Sequence, residues 1–68
     1  MTLEQAKNFV AKTYPNALWV ITSRFEGEPD TYAILDFTFS DEARAKLFTY
    51  DNCTESLFDC SSGRELTL

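Results

Sequence analysis

Sixty-eight residues make one domain at most, and a chain this short buries only roughly 60% of its unfolded surface, so its core is small. Six Phe, three Tyr and one Trp, against two Gly and two Pro, argue against a disordered or low-complexity chain. Eleven acidic side chains against six basic ones give a net charge of −5, which excludes a surface built to grip phosphates directly.

The first element is a helix over 3–14. Thr2 followed by Gln5 fits a capping box, and Glu4 sits in the first turn, where it favours the helix dipole. Leu3, Ala6, Phe9, Val10 and Thr13-Tyr14 recur at helical spacing and form an apolar stripe. Pro15 ends it, because the residue before a proline disfavours the helical region. "ALWVITSRF" (17–25) is β-branched and aromatic, so it predicts a strand. "EGEPD" (26–30) has turn chemistry among three acids, and "TYAILDFTF" (31–39) predicts a second strand completing a hairpin. "SDEARAKLFTYDN" (40–52) reads two ways. Ser40, Asp41 and Glu42 suit a short helix within 41–49; alternatively "SDEA" is a turn and "RAKLFTYD" a third strand, which the Phe48-Thr49-Tyr50 cluster favours. "ESLFDC" (55–60) is a further strand, "SSG" (61–63) a turn and "RELTL" (64–68) a last short strand. The expected fold is therefore α+β: a single domain over 1–68, with an N-terminal helix packed on a four- to five-stranded antiparallel meander whose loops are all short.

"DNCTESLFDC" (51–60) on its own suggests a secreted domain, with two cysteines and an Asn-Cys-Thr sequon. The rest of the chain argues otherwise. Polar residues interrupt the N-terminal apolar ones, so no signal-peptide core or membrane span is present. Across one extended strand the two cysteines would stand roughly 23 Å apart, too far to bridge. Reduced thiols and a cytoplasmic setting follow. With no His, and with two cysteines at a spacing that matches no zinc pattern, neither a metal nor a cofactor is expected.

Three stretches, "TLEQAKNFVAKTYPNA", "VITSRFEGEPDTYAILDF" and "SLFDCSSGREL", together about two thirds of the chain, resemble the outline of a PepSY-type domain. That family joins a short helix, a Pro-containing break, an antiparallel hairpin and a final D-x-x-T-G-x-hydrophobic turn. Here the last motif is Asp59-Cys60-Ser61-Ser62-Gly63-Arg64-Glu65-Leu66, with Ser62 in place of the usual Thr. The resemblance implies the helix-plus-meander architecture. As to function, it implies an accessory domain that binds a peptidase or a small ligand, in a family usually exported or membrane-linked.

Catalytic parts are missing. The usual general base near neutral pH is absent, and only Arg64 stands near a cysteine to lower its pKa. The carboxylates of Glu26, Glu28, Asp30, Asp41 and Glu42 fall in predicted turns, where solvation is their ordinary state, and no Gly-rich phosphate loop occurs. The chain is therefore not expected to be an enzyme.

Strand alternation sets Ala33, Leu35, Phe37 and Phe39 against Tyr32, Ile34, Asp36 and Thr38. It likewise sets Trp19 and Ile21 against Leu18 and Val20, and Phe48 and Tyr50 against Leu47 and Thr49. Both faces are apolar, with one predicted helix to cover them. The second face is then partly exposed unless the chain forms a homodimer, residues 40–48 make a covering helix, or the sheet coils enough to bury both. Exposed aromatic patches mark binding surfaces, with Tyr and Trp as favoured anchors. The expected partner-binding residues are Glu26, Glu28, Asp30, Tyr32, Ile34, Asp36, Phe48 and Tyr50, and the expected partner is a protein with a basic surface rather than a nucleic acid or a membrane. In size and character, though in no motif, the chain resembles small phage inhibitors such as anti-CRISPR proteins. A homodimeric adaptor or antitoxin is the remaining alternative.

Overall fold

Helix α1 covers Leu3–Thr13, and its start is secured from both sides. The Thr2 hydroxyl accepts the Gln5 N–H at 3.2 Å, and Gln5 Oε1 accepts the Thr2 N–H at 2.8 Å. Two donors that a helix start leaves without a partner are thereby satisfied. The helix ends where Tyr14 N–H donates to the Val10 carbonyl at 2.8 Å, one residue before Pro15. The computed structural model describes residues 1–22, 31–39 and 41–67.

Five strands follow: β1 (Leu18–Ile21), β2 (Thr31–Leu35), β3 (Lys46–Asp51), β4 (Ser56–Asp59) and β5 (Glu65–Leu66), with a one-turn helix α2 (Glu42–Ala45) before β3. The sheet is antiparallel throughout and its spatial order is its chain order, β1-β2-β3-β4-β5. This is the α+β meander expected from the sequence. Thr22 N–H still reaches the Thr31 carbonyl at 3.0 Å, so the β1–β2 pairing continues at least that far.

Two stretches differ from expectation, and one strand pairing is irregular. The second strand stops at Leu35 rather than running to 39, because Asp36 turns the chain. Asp36 Oδ1 accepts both the Thr38 N–H at 2.9 Å and the Thr38 hydroxyl at 2.6 Å, a local side-chain turn that competes with a strand ladder. The ambiguous stretch 40–52 divides between both readings. Arg44 and Ala45 N–H groups donate to the Asp41 carbonyl, each at 3.0 Å, closing the turn of α2, and the chain then enters β3 directly. Finally, β2 and β3 pair with a register shift. Ile34 is opposite Phe48 while Leu35 is opposite Lys46, which leaves Leu47 as the extra residue of a bulge.

Helix α1 lies on one sheet face. Ala6 and Val10 meet Ile34, Phe48, Tyr50 and Leu57 in the buried cluster, with Leu3 and Tyr14 packed against it. Phe9, which belongs to the predicted stripe, stands at the stripe's edge and is 36% exposed. Two sets of aromatic rings flank the cluster edge to face. Trp19 contacts Tyr32 and Tyr50 at centroid distances of 5.7 and 6.0 Å; Tyr14 contacts Phe48 and Phe39 at 5.9 and 6.3 Å. Each such pair contributes about 0.5–1.5 kcal/mol beyond area burial, a large fraction for a core this size. Lys7 Nζ lies 5.9 Å from the Trp19 ring and closes the outer side.

The chain start is pinned across the fold. The Met1 ammonium donates to the Glu55 carbonyl at 2.8 Å, and the buried Tyr50 hydroxyl donates to the Met1 carbonyl at 3.0 Å.

Candidate functional site

Of the eight residues expected to meet a partner, four are core. Ile34 and Tyr50 are fully buried, Phe48 nearly so, and Asp36 is 4% exposed and committed to its turn. Ile34, Phe48 and Tyr50 lie on the face that α1 covers, and Asp36 sits in the turn after β2. Tyr32, on the same face, is half-buried against Trp19 and Tyr50. Glu26, Glu28 and Asp30 lie outside the described residues.

The physical reason is that α1 has one apolar stripe and two faces to choose from. The face bearing Trp19, Tyr32, Ile34, Phe48 and Tyr50 offers more apolar area, and stabilisation scales with the area removed from water. The opposite face is therefore the one left open. Register places Leu18 beside Leu35, Val20 beside Ala33, Ala33 beside Thr49, and Thr49 beside Phe58. Among the described residues no helix packs on this face, and Leu18 and Val20 are 53% and 43% exposed. β1 is also an edge strand, so its outer backbone groups border the same apolar patch. Charged side chains stand at the rim, with Asp51 opposite Thr31, Glu65 opposite Phe58 and Lys46 opposite Leu35.

A second feature sits at the other end of the sheet. A cleft of about 350 Å³ opens between the end of α1, the turn after β2, the start of β3 and the β4–β5 turn. Tyr14, Phe39 and Phe48 form its aromatic wall, while Arg44 and Lys46 bring two cations to it. Asp59 and Cys60 complete the far side. Asp59 Oδ1 accepts the Ser61 hydroxyl at 2.7 Å and the Ser61 N–H at 2.8 Å, and these bonds hold its carboxyl below the usual range. Burial pushes the Cys60 thiol up, Asp59 adds to this, and Lys46 only partly opposes it. That is the reverse of what a nucleophilic cysteine requires. Cys53 and Cys60 are both exposed and are not joined in a disulfide.

Among the described residues, no group of three or more His, Cys, Asp or Glu side chains is placed to hold a metal ion, and no helix is long and apolar enough to cross a membrane. Comparison with protein-family models, with curated proteins and with solved structures finds no match for this chain.

Proposed function

We propose that the protein is a non-enzymatic binding module that docks the open sheet face, together with edge strand β1, onto a protein carrying an apolar patch rimmed by Lys and Arg. The observation that carries this reading is the row of Leu18, Val20, Ala33, Leu35 and Phe58, which no helix among the described residues covers and in which Leu18 and Val20 are exposed. A second copy is the less favoured occupant on charge: two copies at −5 repel, whereas a basic rim on a different protein is attracted.

Occlusion is the mode of action that suits such a surface. On this reading the target is a protein whose basic surface ordinarily holds nucleic acid, the mode of small phage inhibitors such as anti-CRISPR proteins.

The test pairs sedimentation with binding. The chain should sediment as a monomer at tens of micromolar. A captured and purified partner should bind it one to one, lose at least about ten-fold in affinity with Val20→Asp, and bind more weakly as salt rises. Asn8→Asp, at an exposed position on α1, serves as the control and should change little. A wild-type dimer that Val20→Asp splits would instead identify the occupant as a second copy. Equal binding by both variants would remove the sheet face from recognition.

A further inference from the structure

We propose that the end cleft is a binding site for a small aromatic carboxylate. Its three rings already interlock, Tyr14 standing edge to face with Phe39 at 6.3 Å and with Phe48 at 5.9 Å. A planar guest extends this arrangement, since a flat ring offers both a face and an edge to such neighbours. The volume of about 350 Å³ lies at the lower end of small-molecule sites, which sets the scale at a single ring system rather than a nucleotide.

The charge of the guest follows from the wall. Only six side chains in this acidic protein are basic, and two of them, Arg44 and Lys46, line this cleft. Among the described residues Arg44 makes one ion-pair contact, to Asp41 at 4.0 Å through Nε, and its side chain is 78% exposed, which leaves its guanidinium fork with donors for a carboxylate. Asp59 is the opposing charge inside the cleft. Its Oδ1 is occupied twice by Ser61, and it belongs to the β4–β5 turn, whereas Arg44 and Lys46 belong to α2 and β3. The guest's ring therefore lies against Tyr14, Phe39 and Phe48 with its carboxylate toward Arg44 and Lys46. Cys60 stays a wall residue: its raised thiol pKa disfavours a covalent role.

The probe is 3-phenylpropionate, with 3-phenylpropionamide as its uncharged twin, titrated into the isotope-labelled protein and followed by backbone amide shifts. The carboxylate should move the amides of Tyr14, Leu47, Cys60 and Ser61 in one saturable step. The amide should bind at least about ten-fold more weakly, and so should the carboxylate to the Arg44→Gln/Lys46→Gln double variant. Both substitutions fall on exposed side chains, so the variant's unperturbed spectrum away from the cleft verifies its fold. Equal affinity for acid and amide, shifts centred on the open sheet face instead, or no saturable shift up to about 10 mM would each overturn the assignment. The outcome is independent of the docking reading, because Val20→Asp lies on the open face and should leave this titration unchanged.

Discussion

Replacing Tyr50 by Phe removes one oxygen from the most buried ring among the described residues and nothing else. The lost bond is the 3.0 Å contact in which the Tyr50 hydroxyl donates to the Met1 carbonyl. A neutral hydrogen bond contributes about 0.5–1.5 kcal/mol net, and the half-buried Met1 carbonyl can recover some of that from water. The expected cost at neutral pH is therefore about 1 kcal/mol, out of roughly 3–5 kcal/mol for a core this small. With a slope of about 1 kcal/mol per molar urea, the unfolding midpoint should fall by about 1 M. Alkali should then reverse the ranking. Burial first, and the charges of Glu55 and Asp51 after it, raise the Tyr50 phenol above its ordinary value of 10.0. The unfolded phenol thus loses its proton first. Stability held below that value is lost as pH rises toward the folded one, at up to about 1.4 kcal/mol per pH unit. The Tyr50→Phe variant has no phenol to titrate and so no such loss, and less than one pH unit at that slope offsets the missing bond. Urea melts of both proteins at pH 7 and across pH 9.5–11.5 measure this, the remaining tyrosines being common to both. Parallel alkaline curves, or an unchanged midpoint at pH 7, would refute the pinning of the chain start by Tyr50.

Four further outcomes follow from the turns. Asp36→Ala leaves the Thr38 N–H and hydroxyl without their acceptor and should cost about 1–2 kcal/mol in a thermal melt, whereas Asp36→Asn retains an acceptor and should cost less. Asp59 is held below its ordinary value of 3.8 by the Ser61 hydroxyl and amide, so it contributes stability above that value that is lost as pH falls through the folded one; Asp59→Asn should flatten the acid limb of a pH–stability curve between about pH 5 and 2. Gly63 has φ +71 and an added Cβ meets nothing within 4 Å, so Gly63→Ala should cost only the backbone strain of about 1–2 kcal/mol; Glu55→Gly, at φ 54, should be neutral or stabilising by up to about 1 kcal/mol in the same urea melts.

Local signals carried most of the fold. The Thr2–Gln5 box and the Tyr14-Pro15 stop are each written within a few residues, and α1 begins and ends where they place it. The meander likewise follows from alternating apolar residues and short loops. The choice of face is a different kind of problem. Alternation says that Ile34 and Leu35 point opposite ways, but not which of them meets the helix. That depends on summed area across four strands, where Trp19, Tyr32, Phe48 and Tyr50 outweigh Leu18, Val20, Thr49 and Phe58. Comparing the two sums points to the open face. Asp36 reads as a charge within a strand, although an Asp two residues before a Thr is itself a turn signal. The cleft has no such trace in the sequence. Tyr14, Phe39, Lys46 and Cys60 come from separate elements, and only the bulge at Leu47 and the turn at Asp36 gather them.

The two margins of the sheet are unequal. β1 is four residues long, so about two of them turn their N–H and C=O outward, while two-residue β5 at the opposite margin has about one. A strand laid along β1 has a longer ladder to pair with; one laid along β5 gains at most a couple of bonds, too few to offset the order it imposes on both chains. Among the described residues, growth by strand addition is therefore favoured at β1 over β5. Two copies joined through β1 would use up both longer margins, and a partner strand on β1 would likewise leave only the short β5 for the next molecule to extend. A chain with a bare apolar face and an open edge would ordinarily risk running on into filaments. Among the described residues, the shortness of β5 makes β1 the margin at which a strand partner gains most.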